Sequence, residues 1–226
     1  MPQVGIVGPS GQGKSTSIFP NEELGIIGLN PKETVILNVS GKDLPVKGFR
    51  KMYNEELKNY KVLSTGKEVA DALLAISKNA PHIKNVIIDD YQYLQSFEFA
   101  KRTNEKGYDK FNDIFNAGYK PLEVFRQLRN DLYVFCLFHE DQENGKRFIK
   151  TAGKMINQYV TIEGLFTVIL FSKVEKDFKT GKISYGFETQ TDGNTTAKSP
   201  AGMFDQIVIP NDLGYIKQKM EEYYEG

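Results

Sequence analysis

Residues 8–16 read GPSGQGKST, and the four residues before them, Val4 to Val7, read VGIV. The nine residues satisfy G-x-x-x-x-G-K-[ST], a loop whose glycines let successive backbone N–H groups converge on an anion. The apolar run ahead supplies the strand this motif needs, and the pattern predicts a helix behind it with its positive N-terminal end toward the phosphates. In that setting Gly8, Pro9, Ser10, Gly11, Gln12 and Gly13 form a phosphate cradle. Lys14 reaches the β- and γ-phosphates, the Ser15 hydroxyl ligates Mg²⁺, and Thr16 contacts the α-phosphate.

Working outward, apolar β-branched runs recur at Thr34–Val39, Asn85–Asp90, Asp131–His139 and Phe166–Val174. Continuous runs of this kind belong to strands covered on both faces, hence to a parallel sheet. Between them, Val69, Leu73, Ile76 and Ala80 keep helical spacing behind a Thr65/Glu68 capping box, with Pro81 as a stop. Leu122, Phe125, Leu128 and Leu132 suggest a second helix starting at Pro121, and Asp212 caps a last one carrying Ile216, Met220 and Tyr223. Two strands around a Lys179–Lys182 turn make a hairpin, followed by a Gly/Thr/Asn-rich loop. The expected fold is α/β, a P-loop NTPase with a mainly parallel central sheet flanked by helices and a C-terminal β-hairpin. It forms one domain over 1–226, with a hairpin-and-loop appendage at about 172–204.

The second half of a nucleotide site is a carboxylate at the end of an apolar strand, and NVIIDD provides it. Asp89 is expected to hold Mg²⁺ through water; Asp90 either orients the attacking water or caps the next helix. Asp43 and Glu140, each just beyond a strand, are further candidates for polarising water. The aromatic stretch Tyr91, Tyr93, Phe97 and Phe99 has the spacing of a core or interface face.

Composition removes other classes. Among 226 residues, 29 Lys plus Arg balance 29 Asp plus Glu, so any nucleic-acid contact must be a local patch. The one cysteine, Cys136, has no partner for a disulfide or a metal cluster, which suits a reducing, cytoplasmic setting. No apolar stretch reaches the roughly 18 residues of a membrane span.

The loop spelling is shared with guanylate kinase, but residues 17–34 contain no arginine for a lid over a second nucleotide, which leaves a nucleotide or small-molecule kinase as the alternative. No N-K-x-D segment reads guanine, so ATP is the expected nucleotide.

The chain resembles the RecA-core ATPases of bacteriophages, the AAA-type ATP-binding proteins linked to single-strand annealing. The resemblance lies in residues 8–16, NVSGKDLPVKGF (38–49), NVIIDDYQYL (85–94), NDLYVFCLFHED (130–141), GKMINQYVTIEGLF (153–166) and DGNTTAKSPAGMF (192–204). It implies a RecA-like ATPase of phage DNA recombination, replication or repair. Such a protein is a homo-oligomer with nucleotide at subunit interfaces, its nucleotide state coupled to assembly on single-stranded DNA. With a strand expected over Pro2–Val7, assembly through the N-terminal oligomerisation segment of full-length RecA is not expected. His139 then falls where RecA-like proteins sense the γ-phosphate, unless it is a plain strand-end histidine. Lys198 matches the lysine of a Lys-x-Arg-x-Gly segment that enters a neighbour's site, but Pro200 stands at the arginine position. Lys198 is therefore either a lone finger, giving slow turnover, or a solvated loop lysine. The loops after the fourth and fifth strands face DNA in such folds, which points to Lys146, Arg147, Phe148, Lys150 and Lys154; the alternative is an ordinary charged loop. A last alternative is a non-hydrolysing ATP-dependent assembly factor.

Overall fold

The computed structural model describes residues 3–152 and 161–226. Its strands are β1 (Gln3–Val7), β2 (Thr34–Asn38), β3 (Tyr60–Val62), β4 (Asn85–Asp89), β5 (Tyr133–Phe138), β6 (Glu140–Glu143), β7 (Lys146–Ile149), β8 (Val168–Lys176), β9 (Ile183–Glu188) and β10 (Val208–Pro210). The α-helices are α1 (Phe49–Met52), α2 (Gly66–Asn79), α3 (Tyr93–Lys101), α4 (Asp109–Glu123) and α5 (Leu213–Glu225).

Eight strands form one sheet in the order β10-β9-β8-β1-β5-β4-β2-β3. From β3 to β8 every pair is parallel, and β9 and β10 add antiparallel at one edge. The hairpin expected at the C-terminal side is β8–β9.

The apolar runs are continuous because both faces of the sheet are covered. Val86 and Ile88 of β4 pack with Val69 and Leu73 of α2 and with Leu122, whereas Ile87 between them packs with Phe19, Phe49, Leu213 and Ile216 on the other face. Alternation of side chains along a strand thus sends successive apolar residues into two separate cores. The capping box at Thr65 forms as expected, with Glu68 N–H donating to Thr65 Oγ1 at 3.2 Å and Glu68 Oε2 accepting from Thr65 N at 3.1 Å. Asp212 caps α5 by accepting from the amides of Gly214 and Tyr215, and it also accepts from Ile27 and Gly28.

Three expectations fail locally. The helix behind the loop is only a 3-10 turn, Thr16–Ile18. Pro20 has no N–H to bond back to Thr16, and it biases Phe19 to the extended conformation that Phe19 adopts. Pro121 does not begin a helix but lies in the last turn of α4, where it leaves the Ala117 carbonyl without its i+4 donor. That carbonyl sits where a side chain on Gly66 would be, so α2 and α4 approach closely there. Finally, the charged stretch after β5 is not a loop but a second small sheet, β6–β7, closed by Asn144 and Gly145 with φ of 52° and 81°. Positive φ at both positions is the geometry of a tight two-residue hairpin turn.

Candidate functional site

Parallel strands end on one side of the sheet, and the crevice there collects the loops that follow them. β1 delivers residues 8–16, β2 the turn at Ser40–Lys42, β4 the pair Asp89–Asp90, and β5, which lies between β1 and β4, delivers His139.

Glycine is required at Gly8, where a Cβ would collide with Ser172 Oγ, and at Gly13, where φ is +82° and a Cβ would meet the Asn211 amide. Lys14 is nearly buried and folds back over the loop, its Nζ donating to Gly8 O at 2.6 Å and Pro9 O at 2.8 Å. Burial lowers its pKa to about 8, against the opposing charges of Asp90 and Asp89. Gln12 Oε1 accepts from Ser172 Oγ at 2.8 Å, which ties the crest of the loop to β8. Ser10, Gly11, Gly13, Lys14, Ser15 and Thr16 line a cleft of about 220 Å³ with Lys42, Pro45, Asp90 and His139.

Asp89 is 1% exposed, and its Oδ1 accepts from Ser15 Oγ at 3.3 Å. Its Oδ2 is buried without a hydrogen-bond partner. Burial, reinforced by neighbouring Asp90, raises its pKa to about 6. A carboxylate so placed beside a hydroxyl fits a hydrated Mg²⁺ ion, which would satisfy the orphaned oxygen and favour the ionised form.

Asp90 adopts φ of 59° and faces the cleft. Its Oδ2 is 2.6 Å from Lys42 Nζ and its Oδ1 3.2 Å from His139 Nε2. Burial works against its ionised form, but neighbouring His139, Lys42 and Ser40 outweigh that and hold its pKa below the usual carboxylate range. The helix-cap alternative falls away, because no side chain caps the start of α3. His139 is fixed further by its backbone N–H, which donates to Gln92 Oε1 at 3.1 Å.

The remaining candidates separate. Glu140 pairs with Arg147 at 3.3 Å, and burial raises its pKa against the pull of Arg147 and Lys14. Arg147 also lies 3.6 Å from Glu188 and over the ring of Phe171, so it is bound within the protein, while Lys146 and Lys150 are exposed and Phe148 is half-buried. Lys154 lies outside the described residues. Asp43 points away from the cleft and pairs with Arg50 at the surface. Lys198 pairs by backbone with Ile169 and lines neither this cleft nor its neighbour; burial lowers its pKa against Glu163.

The sequence offers Asp43 as one candidate beside Asp90 and Glu140, and gives no sign of Lys42, one residue away. The strand-end signal was correct, but the Ser40-Gly41 turn, with Gly41 at φ of +72°, decides which of the two faces inward. Also missed was a second cleft of about 510 Å³ on the other side of the loop. Gly11, Gly13 and Thr16 face both clefts; Leu24, Ile26, Ile183, Tyr185 and Pro210 make its apolar lining, and Glu23, Lys182, Ser184, Asn211 and Asp212 its polar one. Asn211 Nδ2 donates to Gly13 O at 3.1 Å, which leaves Oδ1 buried and unpartnered.

The mainly parallel sheet flanked by helices, with the phosphate loop after β1 and the carboxylates after β4, is an α/β fold of the P-loop type. No family model matches the chain, and no curated protein matches it. Among solved structures, it is similar to a KaiC-like protein from the hyperthermophilic archaeon Pyrococcus horikoshii OT3. The identity is 12% over 88% of this chain and 83% of that one, with a TM-score of 0.49. Among the described residues, no helix is long and apolar enough to cross a membrane.

Proposed function

We propose that this chain binds Mg-ATP and hydrolyses it. The observation that carries the reading is the half-made metal site: Ser15 Oγ on Asp89 Oδ1, with Asp89 Oδ2 buried and unpaired, in a loop whose lysine already caps two carbonyls. A bound Mg²⁺ would neutralise charge on the β- and γ-phosphate oxygens. Loop amides and Lys14 hold the phosphates, and Asp90 with His139 orients water at the terminal phosphate. The nucleoside fits the larger cleft, with Tyr185 as a stacking surface. Asn211 Oδ1 is an acceptor for an amino group, which adenine carries.

Neither cleft is lined by an arginine among the described residues, which favours water over a second nucleotide as the acceptor. Measuring phosphate release from ATP beside phosphoryl transfer to nucleoside monophosphates tests this. Hydrolysis that disappears in Lys14→Ala is expected; transfer without hydrolysis would make the chain a kinase, and nucleotide-dependent assembly without either would make it a binding-only factor.

The finer reading has the resemblance to phage RecA-core ATPases as its support: a homo-oligomer on single-stranded DNA, in recombination, replication or repair. Exposed Lys146 on the β6–β7 hairpin and Lys150 just beyond it suit phosphate contacts, and Lys198, away from its own chain's cleft, suits a role toward a neighbour. Binding of labelled single-stranded DNA at two salt concentrations, with and without an ATP analogue, tests it; absence of salt-sensitive binding in every nucleotide state would contradict it.

A further inference from the structure

We propose that Lys42 binds the terminal phosphate of the nucleotide in cis, resting on Asp90 until a triphosphate enters and then exchanging onto the phosphate oxygens. The inference builds on the Mg-ATP reading and adds to it a residue that distinguishes triphosphate from diphosphate.

Lys42 is held for a purpose other than solvation. Its side chain stays 52% exposed at the cleft mouth although its Nζ contacts buried Asp90. Its backbone is clamped by Asn38, a fully buried side chain at the end of β2. Asn38 Nδ2 donates to Lys42 O at 2.7 Å, while Asn38 Oδ1 accepts from Gly41 N at 2.9 Å and Ser40 Oγ at 3.2 Å. The turn is thereby fixed, and only the four-carbon stem is left to move. An ammonium on such a stem can pass between neighbouring oxyanions by rotamer changes alone.

The charge balance of the cleft gives the exchange its direction. Lys14 and Lys42 are the only lysines or arginines among the described residues that line it. Lys14 has two of its three donors on loop carbonyls. A long helix behind the loop would add roughly half a positive charge at its N-terminus, but here there is only the turn Thr16–Ile18. A terminal phosphate therefore meets a cleft in which Lys42 is the one mobile cation. Asp90 is not orphaned when Lys42 leaves, because His139 Nε2 remains on its other oxygen. ADP has no terminal phosphate to draw Lys42 away, so the Lys42–Asp90 pair persists with the diphosphate and breaks with the triphosphate.

The test is calorimetric titration of the intact chain with Mg²⁺ plus an imido-bridged, non-hydrolysable ATP analogue, and separately with Mg-ADP. Lys42→Ala is expected to weaken the analogue about tenfold or more, the scale of one charge-assisted hydrogen bond to phosphate, and to leave ADP within about twofold. Retained ADP binding also reports that the variant is folded. Lys42→Arg, which keeps the charge, is expected to restore most of the preference. Unchanged affinities, or equal weakening of both ligands in both variants, would overturn the role of Lys42. Failure of the unmodified chain to bind either nucleotide would instead overturn the Mg-ATP reading, and the Lys42 exchange with it.

Discussion

The two sides of the phosphate loop differ in chemistry although the same glycines face both. One side is small and ionic, with Lys14, Lys42, Asp90 and His139 around about 220 Å³ and Asp89 behind it. The other is about 510 Å³ and mostly apolar, lined by Leu24, Ile26, Ile183, Tyr185 and Pro210, with Glu23, Lys182, Ser184, Asn211 and Asp212 as its polar members. Lys14, Lys42, Asp90 and His139 lie on the small side and the apolar side chains on the other, so phosphate recognition and nucleoside recognition fall to different residues, which substitutions can separate.

The largest separation is expected at Lys14. Lys14→Ala should lower phosphate release by about a hundredfold or more, since it removes the one buried cation of the loop, and steady-state assays check this. Next comes Asp89→Asn, expected to reduce Mg²⁺-dependent nucleotide affinity on the order of tenfold to a hundredfold while making the metal-free chain more stable. The sign follows from its pKa, raised from 3.8 to about 6 by burial. Between those values the folded chain keeps a proton that the unfolded chain has lost, so stability falls as pH rises across that window and stays low above it. Removing the carboxylate should recover on the order of 2–3 kcal/mol above pH 6, measured by denaturant unfolding at pH 7. The depressed pKa of Asp90 acts in the opposite sense, its contribution being lost as pH falls below the usual carboxylate range.

On the apolar side, Tyr185→Ala should weaken ATP and ADP alike by about tenfold, the scale of one base–aromatic stack, which titration of both nucleotides would show. An effect on ATP alone would move Tyr185 into the phosphate machinery and erase the distinction. The smallest effect belongs to Asp43→Ala. Its carboxylate is engaged with exposed Arg50 outside both clefts, so turnover should stay within about twofold.

The same contrast explains what the sequence could disclose. The ionic side was legible because its residues stand in a compact motif and at the ends of apolar strands: GPSGQGKST, Asp89, Asp90 and His139 all meet there. The apolar side was not, because Leu24, Tyr185 and Asn211 come from three distant segments that only the antiparallel β8–β9 edge and the Asp212 cap bring together. The sheet itself was readable from its two-sided apolar runs. Beyond it, Pro20 ended a helix that the motif implied, and Asn144-Gly145 turned an apparent charged loop into a hairpin in which Arg147 is engaged by Glu140 and Glu188. In each case a local proline or turn residue overrides the motif or charge pattern beside it.

The most direct test of the account is Mg-ATP binding by the intact chain and by Lys14→Ala, measured side by side in a calorimeter. The account expects saturable, Mg²⁺-dependent binding by the unmodified chain and its loss in the variant. Equal binding by the two proteins would show that residues 8–16 are not the nucleotide site.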